Sequence, residues 1–143
     1  MSSGIPEILN NISQPILPDK NLGWSNRSKT IHFEYYSDVV NNFSRMLGID
    51  SWLLEPLFRN CGEIDFKTKQ GEDCLTHHAS RLFELIKEKY DQYNINEEPY
   101  IMIKADSGTY GMGIMQVRSI EELTSLNRKQ RTKMSKIKGG NKL

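Results

Sequence analysis

Residues 99–118 read PYIMIKADSGTYGMGIMQVR, and they carry the clearest structural signals of the sequence. The apolar run Tyr100–Ile103 lies between a proline and a glycine-rich segment, so it predicts a short strand. The run Ile114–Val117 predicts a second strand on the other side of the same glycines. The stretch therefore predicts two strands joined by a glycine loop.

The loop has the residues that a phosphate-binding segment needs. Lys104 ends the first strand and can bring a positive charge to a phosphate group, while Ser107 and Thr109 add hydroxyl donors. Glycines without side chains let backbone N–H groups approach a phosphate oxygen closely, and the loop has three of them: Gly108, Gly111 and Gly113.

Three other glycine motifs do not fit this loop. It lacks the Gly-Lys-Ser/Thr ending of a P-loop, and its G-x-x-G-x-G spacing followed by a strand differs from a dinucleotide-binding turn. The lysine of a protein kinase lies on the strand after the loop, whereas Lys104 lies before it. A lysine in this place is typical of ATP-grasp ligases, which lay a flexible lid over the triphosphate. Glycine spacing alone leaves an ordinary glycine-rich turn with a solvent-facing lysine equally open.

The sequence before this stretch predicts mainly helices. Ser37-Asp38 predicts a helix start, and Gly48 is well placed as the stop. A clearer amphipathic helix runs over about 73–93. After the second strand, Ser119 and Glu122 have the spacing of a capping box that opens a short helix. The predicted fold is therefore α+β or α/β, with a helical first part that leads into a small sheet.

The chain divides into four segments of one partial domain. We expect an irregular, loop-rich segment over 1–36, a helical region over 37–98, the loop strands and a helix over 99–126, and a basic C-terminal segment over 127–143.

Composition favours a soluble globular protein, since 26% of the residues are charged and 37% are hydrophobic. No stretch approaches the roughly 18 apolar residues of a membrane-spanning helix. The N-terminus lacks the basic start and apolar core of a secretory signal. With a net charge of +1, we expect a cytoplasmic protein that binds neither membranes nor nucleic acid.

The C-terminal segment is strongly basic, with seven Lys or Arg residues and no acid from Arg128 to the end. One interpretation is a nucleic-acid-binding tail, which would bind in a strongly salt-dependent way. The interpretation that we favour is a basic segment that faces a bound anion or is separated from its acidic partners. Arg128, Arg131 and Lys133 then either neutralise phosphates near the loop or form a solvated helix face.

Two further groups of side chains can bind ligands. Arg27, Lys29 and His32 lie in a predicted loop where they can hold a substrate carboxylate, although a solvated surface loop is the favoured alternative. A second group, of two cysteines and two histidines, resembles a zinc site, but it lacks a fourth ligand and the usual paired-cysteine spacing. For this group we expect a buried thiol and helix-face histidines, and no metal: Cys61, Cys74, His77 and His78.

The sequence of residues 99–118 closely resembles that of the proteobacterial-type glutamate–cysteine ligase family. The segment LNRKQRTKM at 126–134 is similar to the same family, and the resemblance extends from about Ile5 to Lys138. The loop and the segment NRKQR are its most specific parts. Upstream, shorter matches lie at 23–27, 32–33, 48–50, 52–53, 65–66 and 71–72.

The resemblance implies synthesis of γ-glutamylcysteine from glutamate, cysteine and ATP, the first step of glutathione production. ATP would phosphorylate the glutamate γ-carboxylate, and the cysteine amine would attack the acyl phosphate. Lys104 would contact ATP phosphate as the catalytic residue. Residues of the loop would form the lid that excludes water: Ser107, Gly108, Thr109, Tyr110, Gly111, Met112 and Gly113.

The chain is considerably shorter than members of this family, which continue with strands that supply the adenine pocket and acidic Mg²⁺ ligands. We therefore expect a fragment whose metal ligands lie outside this chain and which lacks catalysis alone. The alternative function is a non-catalytic nucleotide-binding or interaction module that keeps the glycine lid.

Overall fold

The computed structural model describes residues 7–17, 19, 28–106 and 113–135. No helix within these ranges combines the length and apolar character that a membrane crossing requires. Two short 3₁₀ helices lie at Glu7–Asn10 and Ser51–Leu53. The longer elements are, in chain order, α1 (Lys29–Leu47), α2 (Glu72–Gln92), β1 (Ile101–Lys104), β2 (Ile114–Val117), α3 (Ile120–Thr124) and α4 (Arg128–Ser135).

Helix α1 begins at Lys29, so the predicted start at Ser37-Asp38 is wrong. The N-cap is Ser28, whose Oγ accepts a hydrogen bond from the N–H of Ile31 at 3.2 Å. This cap satisfies one of the donors that a helix start leaves free, so the helix extends into the segment predicted to be irregular. The predicted end is confirmed: Gly48 adopts a left-handed φ of 66° and donates its N–H to the carbonyl oxygen of Ser44.

Helix α2 confirms the predicted 73–93 helix to within one residue at each end. Its inner face buries Leu75, Ala79, Leu82 and Phe83, whose i, i+4, i+7, i+8 spacing places them on one side. Exposed charged residues occupy the opposite side. The amphipathic pattern therefore fixes both the helix and the direction in which it packs.

Strands β1 and β2 form an antiparallel hairpin in which Ile101 pairs with Val117 and Lys104 with Ile114. Strand β1 lies one residue later than predicted, while β2 has the predicted bounds. Two adjacent antiparallel strands that pack on helices make an α+β fold. Of the two predicted fold classes, α+β is thus confirmed.

The two C-terminal helices begin at side-chain caps. The serine half of the predicted box is confirmed, because Ser119 Oγ accepts the N–H of Glu122 at 3.3 Å, but the Glu122 carboxylate accepts the N–H of Arg118 instead. Helix α4 has a reciprocal box, in which Asn127 and Gln130 each accept the backbone N–H of the other at 3.0 and 2.8 Å.

The core lies between α2, the sheet and the C-terminal helices. Helix α4 contributes Met134, which is fully buried, so part of the predicted basic segment belongs to the core. The buried cluster consists of Ile64, Phe66, Leu75, Ala79, Phe83, Ile103, Ala105, Met115, Val117, Leu123, Leu126 and Met134.

Candidate functional site

The hairpin places Lys104 at the base of the glycine loop. Beyond the last strand pair, the N–H of Ala105 donates to the carbonyl oxygen of Gly113 at 3.0 Å. Gly113 has a left-handed φ of 65°, which explains why this position favours glycine. The loop leaves the sheet between these two residues. The other predicted lid residues, Ser107, Gly108, Thr109, Tyr110, Gly111 and Met112, lie outside the described residues, and their roles stay predictions.

The side chain of Lys104 lies on the open side of β1. Ile103 and Ala105 are buried, whereas Met102 and Lys104 are exposed, as expected for a strand whose side chains alternate between two faces. Lys104 borders a cavity of about 500 Å³. The cavity lies between α1, α2 and β1, and all five residues from Tyr100 to Lys104 line it.

The N-terminus of α1 is hydrogen-bonded to Asp106, the second residue after β1. Ser28 Oγ donates to the two carboxylate oxygens of Asp106 at 3.0 and 2.9 Å, and the backbone N–H of Thr30 donates to Oδ1 at 2.7 Å. The backbone N–H of Lys29 donates to the carbonyl oxygen of Asp106 at 3.1 Å. A carboxylate at a helix N-terminus also interacts favourably with the helix dipole. We call Ser28, Lys29, Thr30 and Asp106 the loop-base clamp.

The clamp favours the charged form of Asp106. Burial alone would raise the pKa of Asp106, yet hydrogen bonds from Thr30 and Ser28, with the charge of Lys29, hold that pKa below its usual value. Asp106 is therefore an anion at neutral pH whose oxygens already have donors. It fixes the first residue of the loop to α1.

Lys29 brings a second positive charge to the same end of the cavity. Its Nζ donates to the carbonyl oxygens of Ala105 and Asp106 at 2.6 and 3.1 Å. Lys29 and Lys104 both line the cavity. Two ammonium groups at the base of a glycine loop give a site suited to a polyanionic ligand.

Aromatic side chains form another part of the cavity wall. The Trp52 ring stacks on Tyr93 at a centroid distance of 5.1 Å and meets Tyr90 edge-on. Asp50 supports this group, since it accepts hydrogen bonds from Lys89 and from the Tyr93 hydroxyl. These hydrogen bonds, with that from the N–H of Trp52, lower the pKa of Asp50 to about 2.

The predicted loop position of Lys29 and His32 is wrong, because both residues lie in α1. Lys29 lines the cavity beside Lys104. His32 lines a different hollow with Tyr36, on which its ring stacks. Arg27 lies outside the described residues, and the substrate-binding role of all three stays a prediction.

Arg131 has protein partners that sequence reasoning did not find. Its guanidinium pairs with the carboxylate of Glu72 and donates to the carbonyl oxygen of Phe66 at 3.1 Å. The contacts tie α4 to the start of α2, which favours a structural role for Arg131. Arg128 and Lys133 are exposed on α4, and their phosphate-neutralising role stays a prediction.

The structure brings Cys61, Cys74 and His78 together, with their ligand atoms all within 4.8 Å of one another. Cys61 is half-buried and Cys74 is exposed, so neither matches the expected buried thiol. Burial, with the neighbouring Cys74, raises the pKa of Cys61 to about 12. Without a bound cation this thiol stays protonated at neutral pH and is a poor nucleophile.

Sequence reasoning missed Asp106, Ser28 and Thr30 as parts of the site. Ser28 precedes the apolar series Ile31, Tyr35, Val39, whose helical spacing after a serine is an N-cap signal. Local spacing gives no comparable signal for Asp106, because its partners are 76 to 78 residues away in the chain.

Comparisons with known proteins agree on one family. The family model described as GshA, glutamate–cysteine ligase, matches residues 1–143. A crystal structure from Methylobacillus flagellatus KT, described as "Putative gamma-glutamylcysteine synthetase", is 45% identical, with a TM-score of 0.84 over 97% of this chain. This chain spans 33% of that protein, about a third of its length. No curated protein matches the chain.

Proposed function

Because this chain belongs to the glutamate–cysteine ligase family, we propose that it forms part of an ATP-dependent enzyme that joins the glutamate γ-carboxylate to the cysteine amine. The observation that carries this proposal is the position of Lys104, exposed at the base of the glycine loop and on the wall of the cavity. In this reaction ATP supplies the phosphoryl group that activates the carboxylate as an acyl phosphate.

Charge neutralisation is the task of Lys104. Phosphoryl transfer depends on positioning and on compensation of phosphate charge rather than on a covalent protein nucleophile. The Lys104 ammonium group contacts the phosphates, and the glycine loop covers them. Closing the loop excludes water, which would otherwise hydrolyse the acyl phosphate before the amine attacks.

The loop-base clamp positions this machinery. Lys29 donates to two carbonyl oxygens at the start of the loop, so α1 and the loop base keep a fixed relation. Its positive charge adds to that of Lys104 along one wall of the cavity. The cavity volume of about 500 Å³ lies within the range usual for small-molecule sites.

Magnesium accompanies ATP in this proposal, with its ligands outside the described residues. Mg²⁺ takes oxygen ligands and is usually held by one or two carboxylates together with substrate phosphates. Asp106 is a poor candidate, because both of its oxygens already accept hydrogen bonds from Ser28 or Thr30.

The test is calorimetric titration of the 143-residue chain with ATP, with and without Mg²⁺, for the wild type and two variants. Lys104→Ala removes the proposed phosphate contact, so we expect ATP to bind at least about tenfold more weakly, since a charged hydrogen bond contributes about 1.5–3 kcal/mol. Lys67→Ala removes the same charge from an exposed turn and serves as the control.

Unchanged ATP affinity in Lys104→Ala would refute the assignment of Lys104. Phosphate release on addition of glutamate and cysteine is measured next. Release that depends on both amino acids means that this chain carries out the ligase reaction alone, whereas ATP binding without release agrees with a part of the ligase and equally with a non-catalytic nucleotide-binding module.

A further inference from the structure

The cluster of Cys61, Cys74 and His78 has no role in the proposed ligase reaction. We propose that these three side chains bind a divalent cation of the zinc class. The ligand set consists of two sulfur atoms and one imidazole nitrogen. Zinc favours these donors, whereas magnesium takes oxygen ligands, so this site is distinct from the one that would accompany ATP.

Helix α2 fixes two of the three ligands. Cys74 and His78 are four residues apart within α2, and residues at this spacing are neighbours on one helix face. Cys74 lies in the first turn of the helix, where its side chain is exposed and accessible to a cation.

A tight turn brings the third ligand to this face. The Asn60 side chain accepts the backbone N–H of Gly62 at 2.8 Å, and Gly62 has a left-handed φ of 71°. Between them, Cys61 packs against the buried core. The position of Cys61 is thus set by the turn and the core, before any cation binds.

The spacing of the ligand atoms is close to that of a tetrahedral site. Zn–S bonds of about 2.3 Å place neighbouring tetrahedral ligands about 3.7 Å apart. The three ligand atoms lie within 4.8 Å of one another. The distances between them therefore need to shorten by no more than about 1 Å to reach tetrahedral geometry, and small side-chain rotations can produce this change.

Three protein ligands leave one coordination position for water or another ligand, as in open zinc sites. Cys61 and His78 both line the cavity that Lys104 borders. The bound cation therefore lies at the wall of this cavity and joins the Cys61 turn to α2.

The test uses Co²⁺ as a spectroscopic substitute for zinc, with the reduced, metal-free 143-residue chain. We expect one Co²⁺ per chain, thiolate-to-cobalt charge-transfer absorption, intense visible bands of a tetrahedral ion, and displacement by Zn²⁺. Cys74→Ser and His78→Gln should each weaken binding at least about 100-fold, because even residues behind the ligands contribute 10- to 100-fold. His77→Gln changes the adjacent exposed histidine and should bind normally.

Circular dichroism of each variant confirms that α2 is intact; Cys74 is exposed, so Cys74→Ser keeps the fold. Absence of charge-transfer absorption in the wild type would overturn the proposal. Equal Co²⁺ affinity in the wild type and Cys74→Ser would also overturn the proposal. A loss of Co²⁺ affinity in His77→Gln as large as that in His78→Gln would overturn it as well. None of these outcomes depends on ATP binding, so failure of this proposal and failure of the ligase proposal are distinguishable.

Discussion

Asp106 is the residue that joins the glycine loop to the rest of the protein. It follows the strand that carries Lys104, and its carboxylate accepts hydrogen bonds from Ser28 and Thr30 at the start of α1. One carboxylate thus satisfies donors at a helix start and fixes the loop base.

Asp106→Asn should destabilise the protein by about 1–2 kcal/mol at neutral pH, because it replaces a charge-assisted helix cap with a neutral one. The pKa of Asp106 is lowered in the folded protein. Its stabilisation is therefore complete above the unfolded value of about 3.9 and is lost as the pH falls through the folded value. Urea unfolding across this pH range measures the difference between wild type and variant.

The control for this measurement is Asp38→Asn, which changes an exposed carboxylate in the middle of α1. It should have little effect on the free energy of unfolding. A difference between wild type and Asp106→Asn that persists undiminished in strong acid would contradict the assigned charge of Asp106.

The sequence singled out Lys104, whose contact with a ligand stays a prediction, but it did not single out the residues around the base of the glycine loop. Lys104 was identified because a strand, a lysine and a glycine loop are consecutive in the chain. The partners of Asp106 are 76 to 78 residues away in the chain, and no local spacing rule records such contacts.

The secondary-structure elements were also predicted best where the signals are local in the sequence. Helix α2 and strand β2 were predicted closely because each is bounded by strong local signals and packs one apolar face. The start of α1 was missed since the cap at Ser28 lies in a polar segment that resembles a loop. For Arg131 the sequence left phosphate neutralisation and a solvated helix face open, and it did not predict the pairing with Glu72, which is far away in the sequence.

Arg131→Met should reduce the free energy of unfolding by about 3 kcal/mol, because it leaves the mostly buried Glu72 carboxylate without its cation. The two side chains are 16% and 19% exposed, so solvent compensates little. Lys133→Met, an exposed change in the same helix, should alter stability by less than about 0.5 kcal/mol. If urea unfolding gave Arg131→Met and Lys133→Met the same free energy of unfolding, a structural role for Arg131 would be contradicted.

For the whole molecule, the most informative surface is the outer face of α1. Tyr35, Val39 and Met46 are 71%, 66% and 84% exposed, while Val40 on the inner face is buried. Most of the apolar side chains of this helix therefore lie in solvent. Exposed apolar patches of this kind mark interaction surfaces or aggregation-prone sites.

The double variant Val39→Lys and Met46→Lys should therefore fold normally and become more soluble. Both residues lose little burial, so we expect a change in unfolding free energy within about 0.5 kcal/mol for each. Binding of a hydrophobic dye should fall, and light scattering at high concentration should decrease, because the apolar patch is interrupted.

The matched control is Val40→Lys, one residue from Val39 but on the inner face of the same helix. Val40 is 5% exposed, so the lysine places an unpaired charge against apolar neighbours and should destabilise the protein severely. If the outer double variant unfolded as readily as the inner one, the outer face of α1 would have to be buried in solution. Unchanged dye binding in a folded double variant would instead place the dye-binding surface elsewhere.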